Sequence, residues 1–353
     1  MKRTRKIEEP LSSQIKSHSK ETPVKTKIGG AYGGNTKMIT STGSTELDLS
    51  ISGGVVRGGG VPAGILMEVF GPNSSGKTVL LMEMAGTVQR NGGESHFNDP
   101  EGRLDKMFAK QFDFHVDPKC IDQPDTVTEV FKHINKWEPK NLEFVNGVFT
   151  DSLAALSTNL EMDNEEGDKM GMRRAKEFSE GLRKACRLIK RKNYIMVCSN
   201  QIRDNDNGYG EQFSVPGGKA VGFYASVRLR FYPPEKLKSK EKTIGKKQVV
   251  KVIGTKVKVE VYKNSTDVAY RTATIYLING YGIDDIRANL QYIKDYTTNK
   301  TYTVNGVNMG ISMDEAIAKV EKEGLEKELK EQVIDLWETI ESKFKMERKK
   351  KQR

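Results

Sequence analysis

Apolar and polar positions along this chain follow two rhythms. Ile65-Leu66-Met67-Glu68-Val69-Phe70 is a short apolar run that predicts a buried strand, and Val79 to Val88 follows at helical spacing, with neither proline nor glycine before Gly86. Further runs at Glu94 to Asn98, Glu143 to Thr150 and Tyr194 to Ser199 predict strands, separated by helical stretches at Val127 to Lys136 and Arg173 to Arg191. Alternation of this kind predicts an α/β fold with a mostly parallel sheet covered by helices. Ser226 to Tyr232, Gln248 to Ile253, Lys256 to Tyr262 and Thr272 to Ile278 then follow with turns and no helices between them, which predicts an antiparallel extension of the same sheet.

A composition break near Gly280-Tyr281-Gly282 separates a core of residues 41–282 from a small α+β C-terminal domain, 283–342. That domain should hold a helix from Asp285 to Lys294, a hairpin turning at Asn305-Gly306 within Thr301 to Met309, and two more helices. The last helix repeats Leu325, Leu329, Val333, Leu336, Ile340 and Phe344, an apolar stripe that packs either on its own domain or on a partner, the first being the commoner arrangement. Residues 1–40 are rich in Lys, Ser, Thr and Gly with few large apolar groups, which predicts a flexible basic arm, and residues 343–353 form a basic tail.

The chemistry concentrates between the first strand and helix. Gly71-Pro72-Asn73-Ser74-Ser75-Gly76-Lys77-Thr78 fits the pattern G-x-x-x-x-G-K-[ST] at every required position. Two glycines let the backbone wrap a phosphate, inward N–H groups and the helix N-terminus supply positive ends, Lys77 offers a cation to the β- and γ-phosphates, and Thr78 offers a hydroxyl to magnesium. A turn that binds nothing is the plainer alternative, and the strand-loop-helix setting weighs against it. Asp151 ends an apolar strand, where a parallel sheet delivers an acid to a metal beside the phosphate loop. Glu101, after the next strand, is placed to deprotonate an attacking water, although a surface turn explains it equally well on local grounds. ATP and magnesium are therefore the expected ligands.

Bulk properties narrow the partners. The 353 residues carry a formal charge of +11, which favours a polyanionic partner, and part of the excess sits in the two termini. For each terminus alone, a solvated tail and a nucleic-acid contact are equally good readings. No window has the apolar length of a membrane span, no secretory signal follows Met1-Lys2-Arg3, and Cys120, Cys186 and Cys198 lack metal spacing. A cytoplasmic protein with reduced thiols and no membrane partner is expected.

Ser41-Thr42-Gly43-Ser44, Gly71 to Thr78, Thr150-Asp151-Ser152-Leu153-Ala154-Ala155-Leu156, Asn200-Gln201-Ile202-Arg203 and Phe223-Tyr224-Ala225-Ser226-Val227-Arg228 stand in the order and spacing of the RecA family. From Ser41 to Asp284 the chain resembles the bacterial-type DNA strand-exchange recombinases. The resemblance implies a RecA-type P-loop ATPase core and a DNA-dependent ATPase. Such a protein assembles as a helical filament on single-stranded DNA, pairs it with homologous duplex DNA, and works in recombination and repair at the nucleoid.

By that resemblance Lys77 and Thr78 hold phosphates and magnesium, Asp151 serves the metal shell, Glu101 is the general base, Asp105 and Phe108 meet the adenine, and Gln201 senses the γ-phosphate. Met170, Arg173, Arg174, Arg203, Tyr209, Gly217 and Gly218 become candidates for DNA contact, with a solvated helix face as the alternative for Arg173 and Arg174. Phe223, Arg228 and Lys263 are assigned to the interface between subunits, Lys263 reaching across to the phosphates. The chain departs from the family pattern at Ser265, where a second lysine is expected, and at Gly222, where a basic residue is expected. Its basic tail replaces an acidic one. Two rival readings remain, a RecA-type ring motor such as a helicase and a non-hydrolysing DNA-binding accessory.

Overall fold

The computed structural model describes residues 33–157, 170–204, 213–214 and 219–348, with 170–175, 203–204, 213–214 and 219 described as backbone. The expected arm therefore lies mostly outside the described residues. Its last part, however, is strand β1 (Asn35–Thr40), which pairs antiparallel with β2 (Val61–Ala63). Between them α1 (Thr45–Ser52) starts where the Ser44 side chain accepts from the Leu47 N–H. Composition hid β1 because its residues are mostly polar, with only two large apolar ones, Met38 and Ile39, among them.

The remaining elements of the core run β3 (Leu66–Gly71), α2 (Lys77–Arg90), β4 (Ser95–Asn98), α3 (Lys106–Lys110), β5 (Ile121–Asp122), α4 (Val127–Lys136), β6 (Asn146–Thr150), α5 (Met170–Lys192) and β7 (Tyr194–Gln201). A short pair, β8 (Arg203–Asp204) with β9 (Phe213–Ser214), precedes α6 (Lys219–Tyr224) and β10 (Val227–Phe231). Then come β11 (Glu235–Lys238), β12 (Lys242–Ile244), β13 (Lys247–Val249), β14 (Val252–Asn264), β15 (Thr272–Ile278) and β16 (Gly282–Ile283).

The main sheet has the order β16-β15-β14-β10-β3-β7-β6-β4-β5, with β11 on the edge of β14. Every pairing from β10 to β5 is parallel, and those of β14, β15, β16 and β11 are antiparallel. The antiparallel extension thus begins one strand later than the sequence suggests, since β10 runs parallel to β3. Two separate strands expected at Gln248 to Ile253 and Lys256 to Tyr262 are instead the β13 hairpin arm and one long β14. Gly254 does not interrupt β14, because a Cβ there would sit 2.1 Å from the Leu277 carbonyl oxygen and glycine lets the neighbouring strand close in.

Alternate residues of each central strand feed two buried layers. Met67, Val69, Phe97, Phe149 and Val197 face α2, whereas Leu66, Val148, Tyr194, Met196 and Cys198 face α4 and α5. Burying each large side chain in these layers contributes about 1.5–3 kcal/mol, which makes the sheet a rigid platform for the loops at its ends. Helix α4 begins at Thr126, whose hydroxyl accepts from Glu129 N while the Glu129 carboxylate accepts from Thr126 N, a reciprocal cap.

The chain divides into two compact units at Asp284/Asp285. Within the second lie α7 (Asp285–Asp295), β17 (Tyr302–Val304), β18 (Val307–Gly310), α8 (Met313–Glu323) and α9 (Glu326–Lys343). Asn305 and Gly306 both take positive φ, 49° and 80°, as the two-residue hairpin requires. The α9 stripe is buried at Leu329, Val333 and Leu336 against its own unit, and Phe344 at its end is 82% exposed, so the stripe is shorter than its repeat suggests.

Candidate functional site

Parallel strands deliver their C-terminal ends to one edge of the sheet, and four of those ends meet here. β3 ends at Gly71, β7 ends at Gln201 opposite it in register, β6 leads into Asp151, and β4 leads through Asp99 to Glu101. Between β3 and α2 the phosphate-binding loop turns at Gly76, whose φ of 93° favours glycine and whose added Cβ would meet Leu277 Cδ1 at 2.1 Å. The first turn of α2 carries no acidic side chain, leaving the positive end of a fourteen-residue helix open to an anion.

A cavity of about 340 Å³ lies over this loop. Asn73, Ser74, Lys77, Thr78, Glu101, Phe108, Asp151 and Gln201, all singled out in the sequence, line it together. Lys77 is 9% exposed, and its Nζ donates to the carbonyls of Gly71 (3.0 Å) and Pro72 (2.7 Å). Burial lowers its pKa from the ordinary lysine value, while Asp151 and Glu101 pull it back up. The Ser75 hydroxyl donates to the Pro72 carbonyl at 2.8 Å and ties the loop to itself.

Thr78 Oγ1 donates to Asp151 Oδ2 at 2.6 Å, and Ser199 Oγ donates to Asp151 Oδ1. Burial pushes the Asp151 carboxyl above its usual range, and the Ser199 and Thr78 hydroxyls draw it back. A half-buried acid beside a hydroxyl and below a phosphate loop fits magnesium, which keeps several waters and takes one or two protein oxygens plus substrate phosphates. Glu101 is held at both oxygens, Oε1 accepting from Ser152 Oγ at 2.7 Å and Oε2 pairing with Arg103 at 2.8 Å. Asp99 braces that loop by accepting from Leu104 N at 2.7 Å.

Asp105 does not line the cavity. Its carboxylate caps α3 by accepting from Met107 N at 2.7 Å, whereas Phe108, one turn on, does face the cavity. Ser152, Ser199 and Arg103 were not anticipated. The two serines carry a legible signal, Ser199 lying near the end of the apolar strand β7 and Ser152 just beyond the end of β6, both of which finish on this edge; Arg103 sits in a turn whose direction no periodicity fixes.

The three interface candidates cluster elsewhere, where α6, β10 and β14 meet. Lys263 Nζ donates to the carbonyls of Gly222 (2.9 Å) and Phe223 (3.1 Å) at the end of α6, and its pKa is lowered by burial and then by Arg228. Phe223 is 75% exposed. Arg228 is turned inward: its Nε pairs with the fully buried Glu68 at 2.6 Å and its guanidinium lies over Phe70 and Tyr262. Asn200 Nδ2 donates to the other Glu68 oxygen, so this buried pair is satisfied and anchors β10 to the neighbouring strands of the sheet. Of the DNA candidates, Met170, Arg173, Arg174 and Arg203 are described as backbone, and Tyr209, Gly217 and Gly218 lie outside the described residues.

A glycine loop between strand and helix, with a lysine, a threonine and two carboxylates from neighbouring strand ends around one cavity, defines a P-loop nucleotide-hydrolysing enzyme. The chain belongs to the RecA family: the family model described as the RecA N-terminal domain matches residues 6–284. It is 31% identical over 306 residues to Protein RecA of Delftia acidovorans, covering 84% of this chain and 78% of that protein. It is 34% identical to Protein RecA of Rickettsia bellii, over 76% of each chain, and 36% identical to that of Rickettsia canadensis, over 69% of this chain and 66% of the other. A crystal structure of the RadB recombinase aligns at TM-score 0.48 and 20% identity over 69% of this chain and 98% of that one. The family assignment gives the protein a RecA-type recombinase role in DNA recombination and repair, with nucleotide binding and hydrolysis. Among the described residues no helix is long and apolar enough to cross a membrane.

Proposed function

We propose that this protein is a DNA-dependent ATPase of the cytoplasm that coats single-stranded DNA as a helical filament and promotes homologous pairing and strand exchange. The observation that carries the reading is the convergence of Lys77, Thr78, Glu101, Asp151 and Gln201 on one cavity. Lys77 and the loop N–H groups hold the β- and γ-phosphates, and Thr78 and Asp151 hold magnesium, which supplies charge neutralisation at those phosphates. Phe108 offers an apolar face to the base. Glu101, kept in place by Ser152, accepts a proton from the attacking water.

Gln201 couples this site to DNA. It is the last residue of β7, and the chain beyond it, from Arg203 to Gly218, is the segment proposed to contact DNA along with Met170, Arg173 and Arg174. A γ-phosphate bonded to Gln201 would bias that segment toward its DNA-bound state, and hydrolysis would release it. Turnover of ATP with and without single-stranded DNA, together with electron microscopy of the complex, tests the reading. DNA-stimulated turnover and helical filaments are expected; turnover indifferent to DNA, or closed rings, would overturn it.

The residues that support the site and the tail make their own expected outcomes. Ser199→Ala removes one of the two hydroxyls that favour the Asp151 carboxylate, so the magnesium concentration needed for half-maximal ATP turnover should rise several-fold, checked by magnesium titration. Truncation after Ser342 removes the basic tail, of which residues 343–348 are exposed. Duplex binding should weaken, and its log–log salt dependence should flatten by about 0.9 for each phosphate the shortened chain no longer neutralises, while ATP turnover on single strands stays near that of the full chain.

A further inference from the structure

We propose that the lysine-rich ribbon of residues 235–251 is a docking surface for the phosphate backbone of duplex DNA. For that partner the inference rests on the reading above, but the surface is separate from the nucleotide cavity. Lys236, Lys238, Lys240, Lys242, Lys246, Lys247 and Lys251 fall in this stretch with only Glu235 and Glu241 as acids, a net +5 out of the chain's +11. Nearly half of the excess charge is thus carried by about a twentieth of the residues.

Structure concentrates that charge further. β11 extends the edge of β14, and β12 and β13 continue outward as a separate two-stranded hairpin, with Ser239 N and Lys251 O joined at 2.7 Å between them. Residues 240–248 are all exposed, and a Cβ added to Gly245 at the turn would meet nothing within 4 Å. Cross-strand partners Lys242↔Val249 and Ile244↔Lys247 set two lysines and two apolar residues on one face, with Ile244 62% exposed.

Clustered like charges repel one another, and a polyanion relieves that repulsion while releasing its own counterions. A two-stranded β-ribbon has the width of the major groove of B-form DNA. The stretch holds no aromatic residue on which unstacked bases could lie, and lysine is a compact point charge without the planar fork that reads base edges. Those features favour sequence-independent binding of duplex over single strands.

The test uses the full-length protein with Lys242, Lys246 and Lys247 all changed to Gln, and fluorescence anisotropy on a labelled duplex across a salt series. Duplex affinity should fall roughly tenfold near 0.1 M salt, and the log–log slope should become shallower by about 0.9 for each lysine that meets a phosphate. The triple Lys→Arg variant should restore both, and single-strand-stimulated ATP turnover should be unchanged, which also shows that the variant folds. Unaltered duplex affinity and slope, or an equal loss on single strands, would overturn the proposal. So would a loss confined to vesicles containing phosphatidylserine. A wild-type protein whose turnover ignores single-stranded DNA would instead sink the recombinase reading, and the duplex titration would still report on the ribbon.

Discussion

Glu101→Gln is expected to keep nucleotide binding and lose hydrolysis, by a factor on the order of 10²–10⁴ in turnover with single-stranded DNA present. The amide retains the shape of the side chain and can still meet Ser152 Oγ, which donates to Glu101 Oε1 at 2.7 Å, so the loop should stay in place. What disappears is the proton acceptor. Lys77→Ala should fail differently. Its ammonium is nearly enclosed by the loop carbonyls and is the cation set to meet phosphate, so nucleotide affinity should fall by about 1.5–3 kcal/mol, the value of a charge-assisted hydrogen bond. Equilibrium binding of a fluorescent ATP analogue and steady-state turnover, measured on both variants, separate the two roles. Equal turnover in wild type and Glu101→Gln would remove Glu101 from the base position and leave it as a positioning group for Arg103 and Ser152.

The contrast between these residues tracks how legible each is in the sequence. Lys77 and Thr78 belong to a contiguous pattern whose geometry is local, so eight residues are enough to place them. Asp151 and Gln201 sit at the ends of apolar runs, and a parallel sheet puts all such ends on one edge, so topology does the rest. Glu101 and Asp105 lie in the turn beyond β4, where no periodicity fixes direction; the fold brings Glu101 into the cavity and spends Asp105 on the cap of α3. The hairpin of β12 and β13 is hidden for a related reason. Its arms are three residues each, Lys242-Thr243-Ile244 and Lys247-Gln248-Val249, with a single apolar residue apiece sharing a face with lysine, so the period-2 signal carries no continuous apolar face. The strands expected at Gln248 to Ile253 and Lys256 to Tyr262 leave Gly254 between them, and the close approach of Leu277 explains why glycine stands inside β14 there.

Lys263→Ala should reduce DNA-stimulated ATP turnover by roughly tenfold or more if its ammonium stabilises phosphate charge across a subunit boundary, while basal nucleotide affinity stays close to wild type. Within one chain the Lys263 ammonium has a different occupation, bonding the Gly222 and Phe223 carbonyls that end α6. Burial and the neighbouring Arg228 lower its pKa, which makes an approaching phosphate a more favourable partner than the neutral carbonyls. The adjacent Phe223 ring, exposed on a single chain, is the apolar contact such a boundary would cover. Phe223→Ala should therefore lower DNA-stimulated turnover in the same direction. A purely local role for Lys263, capping α6, predicts reduced thermal stability and no exchange between subunits, so a mixing experiment distinguishes the two. In a head-to-tail assembly of Lys263→Ala and Lys77→Ala chains at equal amounts, about a quarter of the interfaces pair an intact Lys77 with an intact Lys263 from the next subunit. Activity should then return in the mixture although each variant alone is inactive or nearly so. No recovery, together with wild-type protein that stays monomeric on DNA with ATP, would show that each site is complete within one chain and that Lys263 serves only its own helix.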